Sequence, residues 1–379
     1  MGRALNKALI LIIIAGFFAI LGSTMSKAPT LPLYAKALNL TSAEIGLVAA
    51  ASTITGIIVN FASGLLSDLY GRKRVLLIGG TVFFTAPLFY FLATNALTLA
   101  LVRAYYGLAT AIFVPVSLAL VSDLYPSRKG TFMGLLSSST LVGRSLAPAI
   151  AGALIYLFGF PPVFLLCAST GFVTLSLLSM LPSGKEGRRE HRVEFEAFIS
   201  PWLLPIGLVD AVIAMAYQGI ETFLPLLQAL ENKEWLAGLL LTTEIGIMAL
   251  AKPFAGYLSD KVGRIKPIGI GLMLLASSML LLAYADTLLW ILVSVVLFAI
   301  ASSITTASTK PLATDVARYS GTALGLLESI KDIGQALGPI IIGLTGAMTG
   351  YISIGILSIM SLMIFLISMR YYKVAQISR

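Results

Sequence analysis

Gly64-Leu65-Leu66-Ser67-Asp68-Leu69-Tyr70-Gly71-Arg72-Lys73-Arg74 joins two long apolar segments. It is echoed by Gly256-Tyr257-Leu258-Ser259-Asp260-Lys261-Val262-Gly263-Arg264, 192 residues further on. A second pattern repeats at nearly the same distance. Gly130-Thr131-x-x-Gly134 followed by Gly143 and Pro148 returns, 191 residues later, as Gly321-Thr322-x-x-Gly325 with Gly334 and Pro339. Two independent patterns sharing one offset, near half the chain length, predict an internally duplicated fold.

The composition names the solvent of that fold. Of 379 residues, 58% are apolar and only 11% charged, against about 45–50% and about 25% in soluble domains. An ordinary soluble enzyme, a disordered tail and a collagen-like rod are all excluded. Apolar segments recur at short intervals between residues 8 and 370. Twelve helices of ~20 residues would use roughly 240 of the residues, leaving short loops and no room for a second, water-soluble domain. The runs are continuous rather than alternating, which argues against a barrel. The expected fold is therefore all-α and integral to the membrane, with twelve transmembrane helices in two pseudo-symmetric six-helix bundles. The long polar stretch 182–200 reads as a linker between bundles 1–181 and 201–379. Arg3 and Lys7 before the apolar run Ala8–Ile20 imitate a secretory signal, but no convincing small-x-small cleavage site follows, so this run is expected to stay as the first span.

Charge placement sets an expected topology. With the N-terminus inside, the inner ends and loops hold Arg3, Lys7, Arg72, Lys73, Arg74, Arg128, Lys129, Lys185, Arg188, Arg189, Arg192, Lys261, Arg264, Lys266, Arg318, Arg370, Lys373 and Arg379. The outer loops hold only Lys36 and Lys233. That bias places both termini in the cytoplasm of a multi-pass protein of the cell membrane. It also accounts for the net charge of +9 without any nucleic-acid partner. One cysteine (Cys167) and one histidine (His191) allow no internal disulfide and no His-based metal cluster. No phosphate-binding Gly-x-x-x-x-Gly-Lys-Ser/Thr pattern, HExxH or serine elbow occurs, so neither an ATPase nor another enzyme is expected, and no cofactor.

The loop pattern Gly64-x-x-x-Asp68-x-x-Gly71-Arg72 and its copy at Asp260, Gly263 and Arg264 resemble the gating loops of the major facilitator superfamily. Arg103-x-x-x-Gly107 resembles that family's fourth-helix motif. Gly134, Gly143, Ala147-Pro148 and Ala151-Gly152 resemble the fifth-helix motif of its drug:proton antiporter branch, with two of its glycines replaced by alanine. Leu69 stands where a basic residue is usual. The resemblance implies a secondary transporter of duplicated plan, whose loop motif latches the cytoplasmic side. Glycine there allows sharp turns, and Pro148 removes one helical hydrogen bond and is expected to bend its helix.

Charges inside spans mark function, because each must face a partner or a wet cavity. The first half carries Lys27, Arg103 and Arg144, with no deep acid; the second carries Asp210, Glu221, Glu244, Glu328 and Asp332 with Lys252, Lys310 and Lys331. This asymmetry suggests charges meeting across a cavity between the halves. Glu328, Lys331 and Asp332 share one helix face at i, i+3 and i+4. They read either as a proton-binding carboxylate with its regulators or as a self-neutralised cluster. Asp210 is the other leading proton candidate, while Glu221 and Glu244 read either as deep sites or as solvated rim residues. Residues 1–43 contain no Asp or Glu, so Arg103 lacks the first-helix acid that family members offer it, and coupling is expected in the second half. Lys27 and Arg144 could instead bind an anionic substrate. The expected function is proton-coupled efflux of small hydrophobic or amphiphilic compounds by a monomer, the partners being substrate, protons and the bilayer. The alternatives are a nutrient or organic-anion uptake permease and a transport-inactive membrane sensor.

Overall fold

The computed structural model describes residues 2–125, 128–182, 202–316 and 320–377. Among them there are thirteen α-helices and no strand. The N-terminal half holds α1 (Gly2–Lys27), α2 (Thr30–Ala37), α3 (Ser42–Tyr70), α4 (Arg72–Phe89), α5 (Ala96–Leu124), α6 (Lys129–Phe158) and α7 (Phe160–Ser179). The C-terminal half holds α8 (Leu203–Phe223), α9 (Glu234–Val262), α10 (Ile265–Ala283), α11 (Leu288–Val316), α12 (Ser320–Thr345) and α13 (Ala347–Ile377). All but a single residue of the 182–200 linker lies outside the described residues.

Local chemistry sets the helix ends. Asn95 and Thr98 cap α5 reciprocally, the Thr98 amide donating to Asn95 Oδ1 at 2.9 Å and the Asn95 amide to Thr98 Oγ1 at 3.1 Å. Thr41 and Glu44 do the same for α3, so Glu44 is an exposed cap. Proline breaks the first span. α1 stops at Lys27, the Ala28–Pro29 peptide is cis, and α2 resumes at Thr30. After α8, Leu224-Pro225 winds into a 3₁₀ turn.

Eleven spans, α1 with α2 counted as one, are long and apolar enough to cross a bilayer. The twelfth is α12, where Glu328, Lys331 and Asp332 sit too centrally to leave an uncharged stretch of that length. The chain is thus an all-α membrane protein with twelve crossing elements. Large apolar side chains face outward, Phe254 77% and Ile58 70% exposed among them, as expected when the outer solvent is lipid.

The helices group into two compact units. One comprises 1–40, 47–191 and 231–242; the other comprises 41–46, 192–230 and 243–379. Each unit repeats one pairing scheme. In the first, α1 packs on α6 and α7, and α4 on α5 and α7. In the second, α8 packs on α12 and α13, and α10 on α11 and α13. The first core is typified by Leu21 and Met25 of α1 against Ala147 and Ala151 of α6 and the free thiol of Cys167 on α7. The second is built on α8, all of which is buried except Leu204, Leu208 and Tyr217.

Close approach of these central helices is bought with glycine. A Cβ on Gly143 would meet the Phe17 carbonyl oxygen at 2.6 Å, and one on Gly334 would meet that of Ala211 at 2.2 Å. Small residues let helix backbones touch where lipid supplies no hydrophobic drive.

Candidate functional site

Both copies of the loop motif build the same charged cluster. Gly71 (φ +89°) and Gly263 (φ +84°) take the left-handed turn that a side chain would resist. Arg72 then folds back one helical turn onto Asp68 and Ser67. Its Nε also donates to Asp123 Oδ2, from α5, at 3.2 Å. Arg264 likewise bonds Asp260 and Ser259, but its Nε lies 3.9 Å from Asp315 Oδ2 on α11. An added Cβ on Gly64 or Gly256 would meet nothing within 4 Å. The turn glycines carry the geometry.

On α6, Gly134 is also open. Gly152 packs its backbone against the start of α9, where an added Cβ would meet the Glu234 carbonyl oxygen at 2.4 Å. Pro148 sits within α6 without ending it. The neighbouring Ala149 amide donates to Thr242 Oγ1 at 3.0 Å.

The intramembrane charges sort by burial. Asp210 and Glu221 on α8 are each 3% exposed, and Glu244 on α9 is fully buried. Thr309 of α11 donates to Asp210 Oδ1 at 2.7 Å. Tyr217 donates to Glu221 Oε1 at 2.8 Å, its ring stacked near Phe298. Glu244 has no hydrogen bond at either oxygen among the described residues. Glu221 and the buried Tyr351 are close enough to act on it electrostatically. One turn below Glu221, Gln218 accepts from Gln335 of α12 at 2.9 Å. Asp210, Gln218 and Glu221 thus form a polar strip on an otherwise apolar helix. The reading of Glu221 and Glu244 as rim residues is not what the fold gives, since both lie inside their unit.

The α12 cluster is more open. Glu328 is held by Lys331 and, from α11, by Lys310 at 2.6 Å, with the Glu328 and Lys310 side chains about half exposed. Asp332 lies 3.9 Å from Lys331. Self-neutralisation describes this group better than a lone carboxylate does.

In the first unit, Arg103 is 3% exposed. It donates to Ser52 Oγ at 2.9 Å and to Tyr90 Oη at 3.1 Å. Lys27 is half-buried at the end of α1, and Arg144 is exposed on α6.

Comparison with known proteins places this architecture. The Major Facilitator Superfamily profile matches residues 12–240 and 234–377. The chain belongs to the Major Facilitator Superfamily. It is 27% identical over 365 residues to an MFS-type transporter of Methanocaldococcus jannaschii, covering 92% of this chain and 94% of that one. It is 26% identical over 344 residues to the multidrug resistance protein MdtG of Klebsiella pneumoniae (85% and 83%). With the efflux pump PmrA of Streptococcus pneumoniae it shares 28% over 251 residues (62% and 63%). In fold it is similar to a bacterial homologue of the lysosomal transporter Spinster, with a TM-score of 0.80, 16% identity and coverage of 99% and 97%. The nucleoside transporter NupG gives a TM-score of 0.80 at 13% identity, covering 95% and 99%. As a superfamily member the chain is a multi-pass membrane transporter of small molecules, not an enzyme.

Several participants escaped the sequence reading, among them Asp123, Asp315 and Tyr90. Asp123 and Asp315 close the two loop clusters, and they stand 192 residues apart, the offset of the loop motif itself. That spacing was the available signal. Tyr90 carried none, since its role depends on how α4 meets α5.

Proposed function

We propose that this transporter couples proton movement to export of small hydrophobic or amphiphilic compounds by alternating access, with the buried carboxylates of α8 and α9 as its proton sites. The observation that carries this reading is Glu244, fully buried beside Glu221 with neither oxygen hydrogen-bonded among the described residues. An ionised carboxylate in such a place is expensive, and two neighbouring ones more so. A proton removes that cost, and opening the site to water permits its release. Asp210, with a neutral hydroxyl as its hydrogen-bond partner, is the second site in this scheme. Glu328 and Asp332, tied to lysines, serve as a charge-balanced flank.

Export is supported by the relatives MdtG and PmrA, whose names describe multidrug resistance and efflux. The excess of basic residues in alternate loops supports a plasma-membrane protein with both termini cytoplasmic. The working form is a monomer of two six-helix halves, 1–181 and 201–379, joined by 182–200. The loop clusters at Asp68 and Asp260 act as its cytoplasmic latch.

Vesicles containing the purified protein, given a pH gradient and loaded with a fluorescent amphiphilic cation, test this directly. Gradient-driven dye flux that disappears in Glu244→Gln, and falls in Glu221→Gln or Asp210→Asn, is the expected result. Flux that ignores the gradient, or coupling unchanged in all three variants, overturns it. Dye movement absent while an organic anion or nutrient accumulates would favour an uptake permease.

A further inference from the structure

The first unit holds a buried cation with no ion-pair partner among the described residues. Arg103 is 3% exposed, and its two hydrogen-bond partners among the described residues, Ser52 Oγ and Tyr90 Oη, are both neutral. A guanidinium keeps its charge throughout the physiological range, and a buried charge without an ionic partner is costly. The acids of this unit that the structure describes are engaged elsewhere or remote. Asp68 and Asp123 hold Arg72 at the far ends of α3 and α5, Glu231 holds Lys36, and Glu234 sits in the first turn of α9 with no ion pair to Arg103. Asp123 is twenty residues further along α5, roughly 30 Å away.

The arrangement is nonetheless built rather than incidental. Tyr90 Oη, besides accepting from Arg103, donates to the Ser26 carbonyl at 3.4 Å, and its ring stacks on Phe164 at 4.9 Å. Gly107, one turn after Arg103, brings α5 so close to α3 that an added Cβ would lie 2.6 Å from the Ser52 carbonyl oxygen. Ser52 and Tyr90 thereby fix both terminal nitrogens and leave Nε–H directed elsewhere. That Nε is buried and makes no hydrogen bond among the described residues. The buried Tyr106 hydroxyl, three residues on and so on the same face of α5, lies within electrostatic reach of Arg103 and beside Ser26, and makes no hydrogen bond of good geometry among the described residues. Two buried donors, one of them cationic, thus lie one turn apart on the same face of α5.

We infer that Arg103 Nε–H and Tyr106 Oη–H together form a binding site for a small monovalent anion inside the N-terminal unit. The chemistry that fits is a halide or a single carboxylate group, each accepting from both donors while neutralising the guanidinium. The site is independent of the proton sites proposed in the second unit.

Purified full-length protein in detergent provides the test. Its thermal midpoint, followed by tryptophan fluorescence, is measured while chloride or acetate replaces gluconate, a much bulkier anion, at constant ionic strength. A ligand that binds only the folded state raises the midpoint saturably. The wild type is expected to respond in this way to chloride, acetate or both. Arg103→Gln should give a flat titration. Tyr106→Phe, which keeps the ring and removes one donor, should raise the half-saturating concentration about tenfold. Arg103→Lys should retain a weaker saturable response. If Arg103→Gln does not yield monodisperse protein, the wild-type and Tyr106→Phe titrations decide. A response to chloride unaffected by acetate marks an inorganic-ion site, and displacement of chloride by acetate marks a carboxylate site. Identical midpoints in gluconate, chloride and acetate, or variants that titrate like the wild type, overturn the inference.

Discussion

The two halves share a frame and bury charges of opposite sign, Arg103 in the first against Asp210, Glu221 and Glu244 in the second. Helices α5 and α11 are both 29 residues long and start 192 residues apart, so Arg103 corresponds to Val295. The same offset maps Ser52 of α3 onto Glu244 of α9. Where the first unit sets a buried guanidinium against a hydroxyl, the second carries a buried carboxylate at one position and a buried aliphatic at the other. Duplication preserved the helix pairings, and divergence reassigned the ions within them. The backbone plan is thus tolerant, and function resides in which buried positions are charged.

The sharpest break of this comparison is a matched pair of substitutions. Glu244→Gln should reduce gradient-driven flux to the level of empty vesicles while leaving the thermal midpoint unchanged or higher, because an unpartnered buried acid becomes a neutral amide. Ser52→Ala, at the corresponding place, should leave coupling intact. Equal effects on vesicle flux would mean that the halves do not divide the labour as their charges indicate.

Packing offers the next contrast. Gly334 meets the α8 backbone more tightly than Gly143 meets that of α1, at 2.2 Å against 2.6 Å for an added Cβ. Gly334→Ala is expected to destabilise by about 2–3 kcal/mol and Gly143→Ala by about 1–2 kcal/mol, as overpacking generally does. Gly64→Ala and Gly134→Ala, with nothing within 4 Å, should be neutral or slightly stabilising, since alanine favours helix over glycine. Thermal midpoints in detergent rank the four. Parity between Gly334 and Gly134 would show that the helices can part at no expense.

Hydrogen bonding to the buried acids comes third. Thr309→Val keeps the shape of the side chain and removes the donor to Asp210 at 2.7 Å. A loss of about 1–2 kcal/mol is expected. Thr305→Val, whose hydroxyl bonds only the Ala301 carbonyl within its own helix, should cost less. Melting curves of the two variants side by side check the difference.

These cases show what a one-dimensional reading can reach. The duplicated frame was legible because apolar length and motif offset are properties of sequence order. So was the α12 triad, since i, i+3 and i+4 fix a shared helix face regardless of surroundings. Its second lysine, Lys310, comes from α11 and was not. Depth of burial was not legible for α8 either. That helix is apolar nearly all round, so no stripe told which way Asp210 or Glu221 would turn, and packing against α11, α12 and α13 decided it. Glu244 shows the same limit, a rim candidate by position and fully enclosed in the fold.

The smallest effect belongs to the loop clusters, where the repeats differ only in fit. Arg72 reaches Asp123 at 3.2 Å with side chains 16% and 30% exposed, whereas Arg264 stands 3.9 Å from Asp315 with 26% and 60% exposed. Ion pairs open to water contribute about 0–1 kcal/mol, least when loose and solvated. Asp123→Asn should therefore lower stability by about 0.5 kcal/mol, and Asp315→Asn by an amount within measurement error. Added salt should narrow the gap between them, because exposed pairs are screened first. Melting at low and high ionic strength reads both. If Asp315→Asn proves the more damaging, Asp315 has a partner that matters more than Arg264, and the two loops are not equivalent clusters set to different tightness.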